Sequence, residues 1–219
     1  MFLPERYQLD HEAAHELVAR YGRACIVNLG AQGLRATYGL CLLENPRYGA
    51  ADDLTSFTVV GHIARGDPQA RDLEEGAPTL LVFEGPHGYI SASWYSPDLT
   101  EVPSTWDYTA VHLAGVPSVL QGEEGFDVVR RTIEQHESAI GEGTRFRLDA
   151  ERLEFARKLY PGVVAFRLAP TRIEAKVKLS QDYPAPVVER VIQNLEAPGP
   201  YQNVALAADM RRLARPSAD

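Results

Sequence analysis

Residues 57–114 decide the fold. They contain four short runs, Phe57-Thr-Val-Val-Gly-His-Ile63, Thr79-Leu-Leu-Val-Phe83, Tyr89-Ile-Ser-Ala-Ser-Trp94 and Tyr108-Thr-Ala-Val-His-Leu-Ala114, rich in β-branched and aromatic residues. Each run is bounded by Gly, Pro or Asp, so each reads as a strand ended by a turn. No helical pattern separates one strand from the next, as a parallel sheet would require, so a small antiparallel barrel is expected.

Outward from this centre, Ala24 to Leu29 and Leu34 to Leu43 read as a hairpin about Gly30-Ala-Gln-Gly33. Val163 to Leu168 and Ile173 to Leu179 read as two late strands joined by Ala169-Pro-Thr171. Apolar spacing predicts helices at His11 to Tyr21 (N-capped by Asp10 and stopped at Gly22), Phe126 to His136, Ala150 to Tyr160, Pro186 to Leu195 and Val204 to Leu213. The expectation is a mainly β protein with flanking helices (α+β). Residues 1–219 would form a single domain with an N-terminal helix and a C-terminal helical extension.

The composition agrees. A chain of 219 residues that is 45% hydrophobic can bury one core, and its 15 prolines and 17 glycines argue for many short elements rather than a helical bundle. With 30 acidic against 22 basic residues the net charge is −8, and no basic stripe is present, which disfavours direct nucleic-acid binding. Cys25 and Cys41 lie in apolar strand-like runs and read as free thiols of a reducing, cytoplasmic compartment. The opening Met1-Phe-Leu-Pro-Glu-Arg6 carries charges and a proline, and no run approaches the length of a membrane span, so neither an export signal nor a membrane segment is expected.

Several groups of residues could carry chemistry. His11-Glu-Ala-Ala-His15 has the helical spacing of a zinc site, but no third ligand follows, and a solvated helix face is the plainer reading. His62 and Arg65 stand at the end of an apolar strand before Gly66-Asp67-Pro68, where polar groups can meet a ligand; a hydrogen-bonded structural histidine is the alternative. Trp94 and Trp106, beside hydroxyl donors, could wall a planar ligand or simply fill a core. Strand alternation would set Lys176, Lys178 and Ser180 on one face as an anion site, or as a solvated face.

Taken in order, several of these segments resemble the PaiB family over nearly the whole chain. The matching stretches are Met1-Phe-Leu-Pro4, Gly61-His-Ile-Ala-Arg65, Phe83-Glu-Gly-Pro86, Tyr89-Ile-Ser-Ala-Ser-Trp-Tyr95, Thr105-Trp-Asp-Tyr108 with Val111-His112, and Lys178-Leu-Ser-Gln181. The resemblance implies an FMN-binding-type split β-barrel, a homodimer with prosthetic groups between subunits. It also implies one of two functions: an FMN-binding negative transcriptional regulator, or a haem-dependent piperazate synthase that closes an N–N bond in an N-hydroxylated amino acid.

Where the family carries asparagine, this chain has Asp67, Asp107 and Asp182. Added negative charge at a site disfavours a flavin phosphate, although Arg65, Lys176 and Lys178 would offset it. Pro161-Gly-Val-Val-Ala-Phe-Arg167 and the acidic residue after Ser180-Gln181 resemble the synthase branch, whereas Asp67-Pro-Gln-Ala70 departs from its Asn-Pro-His-Trp. The resemblance thus points to haem b, with FMN as the alternative. It gives His62 as iron ligand, Arg65 and Lys176 as propionate partners, Trp94 and Trp106 against the macrocycle, and Tyr108 and Gln181 as further cofactor-binding residues. Thr105, Lys178 and Ser180 become catalytic, positioning an amino-acid substrate or moving protons.

Overall fold

A computed structural model describes residues 1–45, 54–95, 102–141 and 146–213. Its strands are β1 (Arg23–Gly30), β2 (Gly33–Leu43), β3 (Val59–Ala64), β4 (Thr79–Ile90), β5 (Thr105–Gly115), β6 (Ser118–Leu120), β7 (Val163–Leu168) and β8 (Arg172–Lys178). Its helices are α1 (His11–Arg20), α2 (Gln69–Glu74), α3 (Ala92–Tyr95), α4 (Gly122–Ile140), α5 (Ala150–Leu159), α6 (Ala185–Glu196) and α7 (Val204–Leu213). The hydrogen-bonded strand order is β6-β7-β3-β2-β1-β4-β5-β8. None of the described helices is long and apolar enough to cross a membrane.

The chain divides into two compact units, one of Met1–Asp10, Glu84–Val111 and Glu174–Asp219, the other of His11–Phe83 and His112–Ile173. The second is built on antiparallel ladders of β1 with β2 and β4, and of β3 with β2 and β7. Period-two alternation gives its sheet two unlike faces. One carries Ala24, Ile26, Cys41, Ile63, Leu81, Phe83 and Phe166, all buried. On the other, α4 covers Leu42, Val60, Leu120 and Ala165 with its Val128. Cys41 faces the core, where burial pushes its thiol up to about 12, while Cys25 sits half-buried on the opposite face opposite Tyr38. Both are free.

Three expectations are corrected here. The runs Thr79 to Phe83 and Tyr89 to Trp94 are not two strands: β4 runs unbroken from Thr79 to Ile90, and Trp94 lies on α3. Gly85-Pro-His-Gly88 therefore contains no turn. Gly88 marks a close approach instead, because a Cβ there would stand 3.1 Å from Leu206 Cδ2 and 3.2 Å from Asn203 Nδ2. Ser180 does not extend the alternation of β8, which ends at Lys178; it sits in a turn at φ 58°. Asp67-Pro68 leads into α2, and Asp67 Oδ1 accepts from the Gln69 amide at 2.9 Å.

Candidate functional site

In the unit that contains β8, segments remote in sequence meet around a cavity of about 200 Å³, lined by Tyr7, Tyr95, Pro103, Thr105, Asp107, Lys178, Ser180, Asp182 and Tyr183. Asp107, in β5, is fully buried, yet both its oxygens are bound. Ser180 Oγ donates to Oδ2 at 2.6 Å, and Lys178 Nζ lies 3.3 Å from Oδ1. The same ammonium donates to Thr105 Oγ1 and, at 2.8 Å, to the Trp106 carbonyl. Ser180 Oγ is also 2.9 Å from Tyr95 Oη; because Ser180 gives its own proton to Asp107, Tyr95 is the donor in that contact. Tyr95 stacks on Tyr183 with centroids 4.3 Å apart, and Tyr7 Oη donates to Asp182 Oδ2 at 2.8 Å.

Electrostatically the cluster is a contest between burial and donors. Burial pushes the Asp107 carboxyl up to about 6, while the Ser180 hydroxyl and the Lys178 charge hold it down and Asp182 raises it. Burial likewise raises the Tyr95 and Tyr183 phenols. Such a carboxyl exchanges its proton near neutral pH, with two hydroxyls in line to carry it.

The structure therefore unites the expected catalytic residues Thr105, Lys178 and Ser180 and adds Asp107, Tyr95, Asp182, Tyr183 and Tyr7. Gln181 is a brace: its Oε1 accepts from the Leu179 amide at 2.7 Å and its Nε2 donates to the carbonyls of Val177 (2.8 Å) and Arg6 (3.0 Å). Lys176 does not share a site with Lys178. Its buried ammonium donates to the Phe2 carbonyl at 2.9 Å and lies over the rings of Tyr7 and Tyr108 at 5.7 and 5.3 Å. Trp106 is half exposed, its indole donating to His87 Nδ1 at 3.2 Å. Trp94 is half-buried on α3.

The remaining predicted residues lie in the other unit. His62 on β3 is opposite Leu40 on β2 and Ala165 on β7, at the margin of the surface covered by α4. Beyond it that sheet face lies open: the rows Arg23/Leu40, Cys25/Tyr38/Val82, Val27/Ala36/Leu80 and Leu29/Leu34 continue it. Leu34 is 73%, Tyr38 60% and Leu29 55% exposed, a contiguous apolar surface of the kind that marks interaction. His62 itself is half-buried, and desolvation lowers its pKa, so the imidazole is neutral; its buried Nδ1 has no hydrogen-bond partner among the described residues. Arg65 points elsewhere, donating to the Pro161 and Val163 carbonyls and pairing with Glu74 at 2.8 Å. His11 and His15 both pack edge-on against Phe57 with centroids 5.7 Å away.

A family model described as "Putative FMN-binding domain" matches residues 1–172. Protease synthase and sporulation protein PAI 2 of Bacillus subtilis is 36% identical over 159 residues, covering 70% of this chain and 73% of that protein. Among solved structures, the FAD and heme binding protein from Mycobacterium smegmatis superposes with a TM-score of 0.55 at 18% identity, over 80% of this chain and 74% of that one. The flavocytochrome Anf3 from Azotobacter vinelandii gives a TM-score of 0.52 at 15% identity, over 78% and 69%. The fold is thus that of the flavin-binding split barrels, as the family resemblance implied.

Proposed function

The chain belongs to the PaiB-type FMN-binding domain family, and on that premise we propose that it is a cytoplasmic haem-dependent enzyme that closes an N–N bond in an N-hydroxylated amino acid. The observation that carries this reading is His62. A neutral imidazole on an open apolar face, with an unsatisfied buried nitrogen, has the donor chemistry of a haem ligand. FMN has no use for such a residue.

Haem, when bound, supplies a Lewis-acidic and redox-active iron. This chain's residues would do the rest: His62 would hold the iron, whereas Arg65 is engaged by the Pro161 and Val163 carbonyls and by Glu74. Lys176, already committed to Phe2, stiffens its surroundings instead. Closing an N–N bond removes a proton from the attacking amine and adds one to the departing hydroxide; the family resemblance assigns such transfers to Thr105, Lys178 and Ser180, which belong to the other unit. A second copy of the chain would cover the open face of β1, β2 and β4, giving the homodimer.

The family's description favours a second reading, an FMN-binding regulator. Titration with hemin and with FMN, followed by absorption, separates the two. Hemin should bind one per chain with a Soret band that His62→Ala abolishes or shifts. Rejection of hemin together with stoichiometric FMN binding would overturn the haem reading and the N–N chemistry with it.

A further inference from the structure

We propose that the cavity beside β5 and β8 is a proton-transfer site with Asp107 as its ionisable centre, serving a small ligand that carries an exchangeable N–H or O–H. This goes beyond the haem reading and holds whichever prosthetic group the protein carries.

The geometry sets a direction. Ser180 Oγ donates to Asp107 Oδ2 and accepts from Tyr95 Oη, so phenol, hydroxyl and carboxylate form a line of donors ending on the acid. A ligand in the cavity gives a proton to Tyr95 Oη as the phenol passes its own to Ser180 Oγ and Ser180 passes its own to Asp107. Each hydroxyl gains one proton and loses one, the ligand loses one, and the carboxylate becomes the acid. The reverse transfer returns a proton to a leaving group.

Ser180 is held in place for this at a conformational cost. Among the described residues it is the non-glycine residue with positive φ, at 58°. A residue keeps such a backbone only where its surroundings over-determine it, which happens most at functional sites. Here the Gln181 brace on Leu179 and Val177, and the Tyr183 amide on the Ser180 carbonyl at 3.1 Å, fix the turn. Stability alone does not explain the cluster, since apolar residues commonly replace a buried ion pair without loss.

The charged and titratable groups facing Asp107 are Lys178 from β8, Tyr95 from α3, and Asp182 and Tyr183 from the turn, with Tyr7 reaching it through Asp182. Burial places the carboxyl at about 6, so the centre can both take and return a proton near neutrality.

The chain's lysines, Lys158, Lys176 and Lys178, make the test direct. In protein labelled with ¹³C at the lysine ε-carbon, Lys178 is assigned by its loss in Lys178→Arg and followed from pH 4.5 to 8. Its resonance should show one step near pH 6. Asp107→Asn should abolish the step, and Ser180→Ala should move it to higher pH because the carboxylate loses a donor. Tyr95→Phe should move it the same way by less. Unchanged Lys158 and Lys176 resonances report that each variant is folded. A flat Lys178 signal in the unaltered protein, a step surviving in Asp107→Asn, or a step unmoved by both hydroxyl deletions would overturn the proposal.

Discussion

The Ser180 hydroxyl donates to Asp107 Oδ2 at 2.6 Å, joining the turn after β8 to the start of β5 across 73 residues of sequence. Around that contact a fully buried carboxyl keeps an ammonium and the Ser180 hydroxyl as partners, which is why it can ionise at all inside the protein. Its proton affinity is therefore linked to folding.

Asp107 should make stability fall as pH rises. Its folded pKa, about 6, lies above the ordinary 3.8, so between these values the folded chain holds a proton that the unfolded chain has released. The contribution is full below the lower value, declines through the window and is lost above the upper one. At about 1.4 kcal/mol per pK unit the decline amounts to roughly 3 kcal/mol. Urea unfolding of the unaltered protein and of Asp107→Asn should give curves whose difference changes by up to that amount between pH 4 and 7. Parallel curves would mean that the carboxyl is not perturbed.

The backbone at Ser180 should reveal itself in a pair of substitutions. Ser180→Ala and Ser180→Gly both delete the hydroxyl, but only glycine tolerates φ 58° without strain. The left-handed conformation costs an L-residue about 1–2 kcal/mol, so the glycine variant should be the more stable by about 1 kcal/mol after its greater unfolded-state entropy is counted. If the alanine variant is the more stable, the turn is not strained.

The elements were largely legible because period-two and helical spacing survive in the sequence: β7 and α7 fall at the positions their patterns indicate. What failed had local causes. Gly85 and Gly88 look like turn residues, yet Gly88 is there to let α7 approach β4, a fact held by Leu206 and Asn203 more than 100 positions away. Lys176 and Lys178 share a strand parity, but nothing in that parity reveals that Phe2 and Tyr7 lie over Lys176. Lys178 and Ser180 stood out by strand parity, while Thr105 and the catalytic role of all three came from the family resemblance; Asp107 and Asp182 stood out only as departures from it. Tyr95, Tyr183 and Tyr7 join them through topology, from segments whose spacing carries no shared period.

The open face of β1 and β2 should be a dimer contact. Leu34, at 73% exposure, and Tyr38, at 60%, stand clear of the core, so charging them should leave the protomer folded. Light scattering should give about twice the chain mass for the unaltered protein and the monomer mass for Leu34→Asp/Tyr38→Asp, with unchanged circular dichroism. An unaltered protein that is monomeric, or a dimer indifferent to both charges, would place the contact elsewhere or remove it.

Gly61, next to His62, should resist even a methyl group. A Cβ there would lie 2.9 Å from Cys41 Sγ, 2.9 Å from the Leu40 carbonyl and 2.9 Å from Phe166 Cζ. The Leu40 carbonyl belongs to β2, whose ladder with β3 pairs Cys41 with Gly61, so relief requires the strands to part or Phe166 to leave its fully buried position. Overpacking of this kind costs about 1–3 kcal/mol. Gly61→Ala should lower the melting temperature by about 2–4 °C per kcal/mol in a chain of this size. Gly162→Ala is the control, because nothing stands within 4 Å of its new methyl, and it should melt like the unaltered protein. Strand displacement at Gly61 would also shift His62, so hemin affinity should fall in Gly61→Ala and stay in Gly162→Ala. Equal melting of the two variants would show that β3 has room for the methyl group and that His62 is not fixed by this packing.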